Sequence, residues 1–147
     1  MSTIEQFRQD TRAWLEANCP PSMRTGMAEG DVVWGSQNPQ FPCEDARLWF
    51  ERMRDKRWFC PEWPEEYGGA GLSDEQLAVL ESEMRRIKCR PPQINLGIWM
   101  LGPVLLAYGS EQQKRDLLPP IARGEVRWCQ GFSEPKAGSD LASLKID

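Results

Sequence analysis

Hydrophobic residues recur every three to four positions through most of residues 2–118, and this spacing predicts a series of amphipathic helices. The first predicted helix runs from the capping box of Ser2 and Glu5 to the stop at Pro20 and Pro21, the second covers about 44–57, and the third follows the capping box of Ser73 and Gln76. Two short helices are predicted across 94–108, with Pro103 in the first turn of the second of them. The last predicted helix runs from the capping box of Ser110 and Gln113 to Leu118, before Pro119 and Pro120. The Gly- and Pro-rich stretches 22–42 and 61–71 favour irregular connections, the first of them a long surface loop. This part of the chain is predicted to be all-α.

The periodicity changes after Gly124. From there the larger, mostly apolar side chains of Val126, Trp128, Gln130 and Phe132 alternate with those of residues 127, 129, 131 and 133. A period of two predicts a β-strand over 126–133. Few residues follow Ser133, so the chain cannot complete a sheet around this strand. We therefore expect a mainly α fold: an all-helical domain over 1–122 and, over 123–147, the incomplete start of a β-domain.

Composition narrows the chemistry. The 147 residues include 18 basic and 22 acidic side chains, a net charge of −4, and no histidine. An acidic chain lacks the basic surplus that binds the phosphates of nucleic acid, so no nucleic-acid partner is expected. Without histidine, Ser-His-Asp and Cys-His catalysis and His-bearing zinc sites are excluded within this sequence, and acid–base chemistry would fall to carboxylates.

Cysteine spacing and hydropathy bear on location. The five cysteines form no C-x-x-C pair, which is typical of scattered cytosolic thiols and predicts no metal site. The most apolar stretch, 94–108, is shorter than the roughly 20 residues that span a bilayer and contains Asn95 and Pro103. We expect it to form buried core with no membrane span, and the N-terminus has no export signal, so a cytoplasmic protein is predicted.

The turn predicted over 133–140 has two interpretations. Its hydroxyls, free backbone N–H groups and Lys136 are groups that bind a pyrophosphate. Alternatively, Ser139 and Asp140 cap their own backbone in an ordinary surface turn.

Three motifs resemble those of one enzyme family. Residues 128–142, Trp-Cys-Gln-Gly-Phe-Ser-Glu-Pro-Lys-Ala-Gly-Ser-Asp-Leu-Ala, resemble the flavin-binding signature of the acyl-CoA dehydrogenases. Residues 61–72 resemble the family's Pro/Gly-rich turn before its third helix, and 109–114 with 118–121 resemble its approach to the middle domain. The motifs occur in family order, so the chain is similar to the N-terminal helical domain of that family followed by the opening strand of its middle β-barrel.

The resemblance implies an FAD-dependent reaction. In family members a carboxylate removes a proton from Cα of an acyl-CoA thioester while hydride leaves Cβ for the flavin, which gives a trans-2-enoyl-CoA, and the electrons pass to an electron-transfer flavoprotein. The family's catalytic glutamate lies in a C-terminal bundle, so the base is expected beyond residue 147 and this chain alone should be inactive. Matching positions imply that the flavin is contacted by Gln130, Gly131, Phe132, Ser133, Gly138 and Ser139, with Ser139 also on the substrate side.

Two interpretations stay open. Trp99, Met100 and Leu101 match a stretch that lines the acyl pocket in the family, but an apolar stripe at helical spacing is more often plain core, and we favour core. The alternative to an enzyme portion is a non-catalytic helical interaction module or truncated paralogue that packs on a partner chain. A homo-oligomer, dimer or tetramer, is expected, and the acyl chain of the substrate is not determined.

Overall fold

The protein is described by a computed structural model that covers residues 3–131, 133, 138–139 and 142. Within these residues five α-helices follow one another: α1 (Thr3–Asn18), α2 (Glu44–Asp55), α3 (Asp74–Arg86), α4 (Gly102–Tyr108) and α5 (Glu111–Ala122). A π-helical turn, Gly97–Leu101, leads directly into α4, and short 3-10 turns occupy Pro21–Met23, Glu29–Asp31 and Glu65–Tyr67. The predicted mainly helical fold is confirmed.

The core lies between α1, α2, α3 and α5. Its most deeply buried large side chains are Leu15, Trp49, Met53, Trp63, Leu80, Leu118 and Ile121. Helix α1 packs along α3, where the buried carboxylate of Glu83 receives hydrogen bonds from Arg12 of α1 at 2.9 and 3.0 Å. The two helices are thus joined by a buried charge as well as by apolar contact.

Two of the three predicted capping boxes are present. Ser73 Oγ accepts from the backbone N–H of Gln76 at 3.3 Å, and Gln76 Oε1 accepts from the N–H of Ser73 at 3.0 Å. Ser110 and Gln113 make the same reciprocal pair at 3.2 and 2.9 Å. Each pair satisfies two backbone donors at a helix start. The third box includes Ser2, which lies outside the described residues.

The connections depend on left-handed backbone positions. Gly68 and Gly71 have φ of 97° and 62° in the predicted irregular stretch 61–71, which is confirmed. Helix α2 ends at Asp55 rather than near 57, because Arg57 takes a φ of 60° and reverses the chain. Trp58 then donates its N–H back to the carbonyl of Met53 at 2.9 Å, which closes the helix end.

Helix α5 passes through its two prolines, and the predicted end at Leu118 is wrong. Pro119 and Pro120 lie inside the helix, which continues to Ala122. Proline fixes φ near the helical value, although inside a helix it removes one hydrogen bond and its ring crowds the carbonyl four residues earlier. The carbonyls of both prolines still accept, from the N–H of Arg123 at 3.1 Å and of Glu125 at 2.9 Å, so the last turn closes normally.

The predicted strand over 126–133 is not formed in the described residues. Residues 126–131 are neither helix nor strand. A strand requires a neighbouring strand to bond with, and the part of the chain that the structure describes contains only an isolated parallel bridge, between Trp34 and Ile94. The division into 1–122 and 123–147 stays a prediction.

Candidate functional site

A cavity of about 420 Å³ lies between the π-helical turn, α4 and the extended segment that follows α5. Its lining is almost entirely apolar, as is usual for small-molecule sites. The lining residues are Leu96, Met100, Leu101, Val104, Trp128, Cys129 and Gln130. The described lining residues include no carboxylate, so they supply apolar contact, the amide of Gln130 and the thiol of Cys129.

Local backbone geometry shapes the helical wall. The turn Gly97–Leu101 is π-helical, a form that often marks functional sites. Glycine fits position 97 because a Cβ there would lie 2.7 Å from Cδ1 of Trp128. The indole of Trp128 therefore packs directly on the backbone of this turn and closes one side of the cavity.

A buried amide holds the opposite wall in place. Asn95, which is 1% exposed, donates its Nδ2 to the carbonyl of Val126 at 2.8 Å and accepts from the N–H of Gly97 at 2.9 Å. One side chain thus connects the start of the π-helical turn to the segment carrying Trp128 and Gln130. Asn95 is therefore a positioning residue, although in the sequence it is only a polar interruption of an apolar stretch.

Part of the predicted core is on the surface. Trp99 is 57% exposed and Met100 44%, so their interpretation as plain core is wrong, whereas Leu101 is half-buried against the core. What we call the apolar face of α4 consists of Val104 and the 87% exposed Tyr108 of this helix together with Trp99 and Met100 of the preceding turn. The spacing of residues 100, 104 and 108 places them on one side of a helix, a signal that marks the face without saying what covers it.

The predicted flavin-contact residues that the structure describes belong to the C-terminal segment of the chain, and one of them is in the cavity lining. Gln130 lines the cavity. Gly131, Ser133, Gly138 and Ser139 are exposed. A Cβ on Gly138 would lie 3.5 Å from Oγ of Ser133, so these two predicted residues are neighbours, and a Cβ on Gly131 would meet nothing within 4 Å. Phe132 lies outside the described residues. Their contacts with a flavin stay a prediction.

Among the described residues, the carboxylate with the most strongly lowered pKa is not in the cavity lining. Hydrogen bonds from Arg12 and then Arg86 lower the pKa of Glu83 to about 2, against the opposing effect of its burial. This carboxylate is already paired between α1 and α3 and is suited to stability rather than catalysis. Within the described residues no three His, Cys, Asp or Glu side chains are grouped for a metal ion, and none of the helices has the length and hydropathy of a membrane span.

The fold and motifs agree with a known family. The model of the acyl-CoA dehydrogenase N-terminal domain matches residues 2–125, and the chain belongs to the acyl-CoA dehydrogenase family. The acyl-CoA dehydrogenase IpdE1 of Mycobacterium tuberculosis (strain ATCC 25618 / H37Rv) is 39% identical over 145 residues, which cover 98% of this chain and 36% of that protein.

Solved structures show the same fold. The steroid ACAD Tcur3481-Tcur3483 matches with a TM-score of 0.61 and 31% identity, over 98% of this chain and 35% of that one. The ChsE4-ChsE5 complex from Mycobacterium tuberculosis matches with a TM-score of 0.58 and 28% identity, over 99% of this chain and 34% of that one. The chain spans about a third of the length of these relatives.

Proposed function

We propose that this chain is the N-terminal portion of an FAD-dependent acyl-CoA dehydrogenase and that the cavity at α4 forms one wall of its acyl site. The observation that carries the proposal is the apolar cavity itself, which has Gln130 of the family's flavin signature on its rim. The reaction would be α,β-dehydrogenation of an acyl-CoA thioester to a trans-2-enoyl-CoA, with an electron-transfer flavoprotein as the electron acceptor.

The residues present fit a flavin beside this cavity. Gln130 and Ser133 offer an exposed amide and hydroxyl, and Gly131 is exposed, with nothing but its chain neighbours within 4 Å of the place where a Cβ would lie. Gly138 and Ser139 are exposed and would bind the pyrophosphate side, with Ser139 also near the substrate. When bound, FAD supplies the two-electron acceptor for the substrate.

The chain's own residues would bind and orient the substrate. Leu96, Met100 and Val104 would contact the acyl chain and exclude water from it, a gain of roughly 0.8 kcal/mol per buried CH₂. The proton at Cα would leave to a carboxylate. Following the family resemblance, we propose that this carboxylate lies beyond residue 147; the described residues that line the cavity include none.

A purified full-length protein gives the first test. We expect it to carry a flavin absorption spectrum that bleaches when an acyl-CoA is added without oxygen. Because the structural neighbour is named as a steroid ACAD, the substrate panel should contain a CoA thioester of a steroid side chain beside saturated fatty acyl-CoAs of several lengths. A colourless protein that takes up no FAD would contradict the proposal and favour the non-catalytic interaction module.

Two matched variants test the acyl wall. Val104 lines the cavity, whereas Tyr108 lies one turn further along α4, is more exposed and does not line it. Val104→Trp should fill the cavity and lower kcat/KM for the longest accepted acyl-CoA by at least about tenfold. Tyr108→Trp should leave kcat/KM within about twofold. If the two variants changed kcat/KM equally, the cavity would not be the wall that binds the acyl chain.

An oligomer is the remaining part of the proposal. The apolar face of α4 exposes Trp99, Met100, Val104 and Tyr108, and contiguous exposed apolar surface favours association. Both structural neighbours are named as pairs of proteins. We propose a dimer or tetramer, and light scattering after size exclusion tests it: a monomer at micromolar concentration would contradict it, and a requirement for a second gene product would replace the homo-oligomer with a hetero-oligomer.

A further inference from the structure

Two cysteines that are distant in sequence lie side by side at one end of the α1–α3 pair. Cys19 follows α1 and Cys89 follows α3, and their Sγ atoms are 3.4 Å apart although the residues are separated by 70 positions. Cys19 is 2% exposed and Cys89 is half-buried. Neither cysteine lines the candidate acyl site.

The backbone holds both cysteines in position. The N–H of Cys19 donates to the carbonyl of Leu15 at 2.9 Å, and the N–H of Cys89 donates to that of Met84 at 2.9 Å. Lys88, just before Cys89, has a φ of 56°, which turns the chain back toward the end of α1. The sulfur contact therefore follows from two closed helix ends and not from a loose loop.

One sulfur of the pair is accessible and the other is enclosed. Cys89 lines an open cavity of about 370 Å³ together with Pro91, Pro92 and Trp99. Cys19 is not part of that lining, and its sulfur contacts the carbonyls of Pro20 and Met23 at 3.8 and 4.0 Å. A small oxidant can thus reach Cys89 first, and Cys19 is placed to react only with Cys89.

The surroundings favour one shared proton. Arg24 donates twice to the carbonyl of Cys19, at 3.0 and 2.7 Å, and brings a positive charge beside the pair. The hydrogen bond from Cys89 and then Arg24 lower the pKa of Cys19 against its burial, and the same hydrogen bond raises the pKa of Cys89. The first proton lost therefore leaves the negative charge mainly on Cys19, and Cys89 becomes the nucleophile when its proton passes to Cys19 across the 3.4 Å sulfur–sulfur contact.

We propose that Cys19 and Cys89 form a reversible redox pair that closes to a disulfide on reaction with hydrogen peroxide. The Cys89 thiolate attacks one peroxide oxygen, the O–O bond breaks, and the leaving hydroxide takes a proton to become water while Cys89 becomes a sulfenic acid. Cys19 then attacks the sulfenic sulfur, the S–S bond forms, the S–O bond breaks and a second water leaves. Two thiols are oxidised, one peroxide is reduced to two waters, and a dithiol reductant reverses the change.

The disulfide would tie the end of α1 to the end of α3. It would close a loop of 70 residues, and cross-links that close long loops stabilise most because they restrict the unfolded chain most. We expect the oxidised full chain to melt at least about 5 °C above the reduced one and to return to the lower melting temperature with dithiothreitol.

Peptide mapping tests the proposal directly. The purified full chain is treated with equimolar hydrogen peroxide, alkylated and digested with trypsin, which releases Cys19 in residues 13–24 and Cys89 in 89–114. We expect these peptides to appear joined, and to separate after reduction. Recovery of Cys89 as sulfenic or sulfinic acid with Cys19 still alkylated would overturn the proposal, as would oxidation confined to other cysteines.

Variants provide the matched control. Cys19→Ser and Cys89→Ser should each abolish the joined peptide and the rise in melting temperature. The double variant Cys43→Ser/Cys129→Ser removes two exposed thiols and should keep both effects. If the single variants keep the temperature rise, the rise comes from elsewhere and the proposal fails. The peptide map of the unmodified chain decides the question even if a single variant does not fold.

Discussion

Glu83 offers the sharpest test of how α1 and α3 are held together. Its carboxylate is 2% exposed and accepts two hydrogen bonds from Arg12, at 2.9 and 3.0 Å, and one from Arg86 at 2.7 Å. Arg8 adds a longer contact at 3.5 Å. The informative change is Glu83→Gln, because glutamine keeps the size of the side chain and removes its charge.

The structure sets the expected size of the effect. Hydrogen bonds from Arg12, then from Arg86, lower the pKa of Glu83 to about 2, against about 4.3 for a glutamate in an unfolded chain. That difference corresponds to about 3 kcal/mol of stability at neutral pH. The arginines are partly exposed and can regain water when the charge is lost, so we expect Glu83→Gln to lower the free energy of unfolding by about 2–3 kcal/mol.

The pH dependence identifies the charge as the cause. A carboxylate whose pKa is lowered by folding contributes fully above its unfolded pKa, and the contribution falls as pH drops toward its folded pKa. For Glu83 it should be nearly complete at about pH 6 and reduced to roughly half at about pH 3. The stability difference between the unmodified chain and Glu83→Gln should shrink by the same factor.

Urea unfolding followed by tryptophan fluorescence measures both quantities. The matched control is Glu81→Gln on the same helix, since Glu81 is exposed and pairs with Arg85 at 3.7 Å, and it should change the free energy of unfolding by less than about 0.5 kcal/mol. The reasoning would be refuted if the two variants were equally stable near pH 7, or if the deficit of Glu83→Gln did not change between about pH 7 and pH 3.

Three further substitutions have directions fixed by the backbone, and urea unfolding at neutral pH checks each. Gly102→Ala should destabilise the chain by about 2–3 kcal/mol, because a Cβ would lie 2.1 Å from the ring of buried Trp63; no loss would mean that α4 can shift freely. Arg57→Gly should stabilise by about 1 kcal/mol, since φ is 60° at this position, and a loss would show that the side chain matters more than the backbone. Ser110→Ala should cost about 1 kcal/mol by removing the acceptor for the N–H of Gln113, whereas an unchanged stability would mean that water replaces the cap.

Local signals in the sequence predicted the helices well. The boxes at Ser73 and Ser110 depend only on residues three positions apart, so the sequence contains the whole interaction. The turn-rich stretch 61–71 was predicted for the same reason, because glycine tolerates the left-handed backbone that Gly68 and Gly71 adopt.

Helix ends were predicted less well because tertiary contacts decide them. Pro119 and Pro120 do not stop α5, since Leu118 and Ile121 on either side are fully buried and packing holds the last turn in helical form. Arg57 ends α2 in a left-handed conformation that sequence alone assigns to glycine or asparagine. In both places the burial of neighbouring residues outweighs the local preference, since Trp58 and Phe59, which follow the exposed Arg57, are buried as Leu118 and Ile121 are.

The cavity could not be predicted from periodicity. An apolar residue at helical spacing looks the same whether its own chain covers it or not, so Met100 was assigned to the core although it lines the cavity. The family resemblance carried the other interpretation, an acyl-pocket lining, and that role of Met100 stays a prediction. Periodicity identifies a face, and only the packing of the other segments shows whether that face is covered.

The wall that carries Gln130 is positioned by irregular segments, for which sequence patterns give no rule. Gly35, in the loop before α2, lies where three segments meet: a Cβ there would come within 2.5 Å of Nδ2 of Asn95 and 2.7 Å of the carbonyl of Val126. The N–H of Ser36 also donates to the carbonyl of Gly124 at 2.8 Å. A side chain at position 35 would therefore displace Asn95 or Val126, and with Val126 the segment that leads to Gln130. The candidate flavin side of the cavity depends on this close approach of backbone, which explains how a segment without a strand partner keeps a defined place beside the helices.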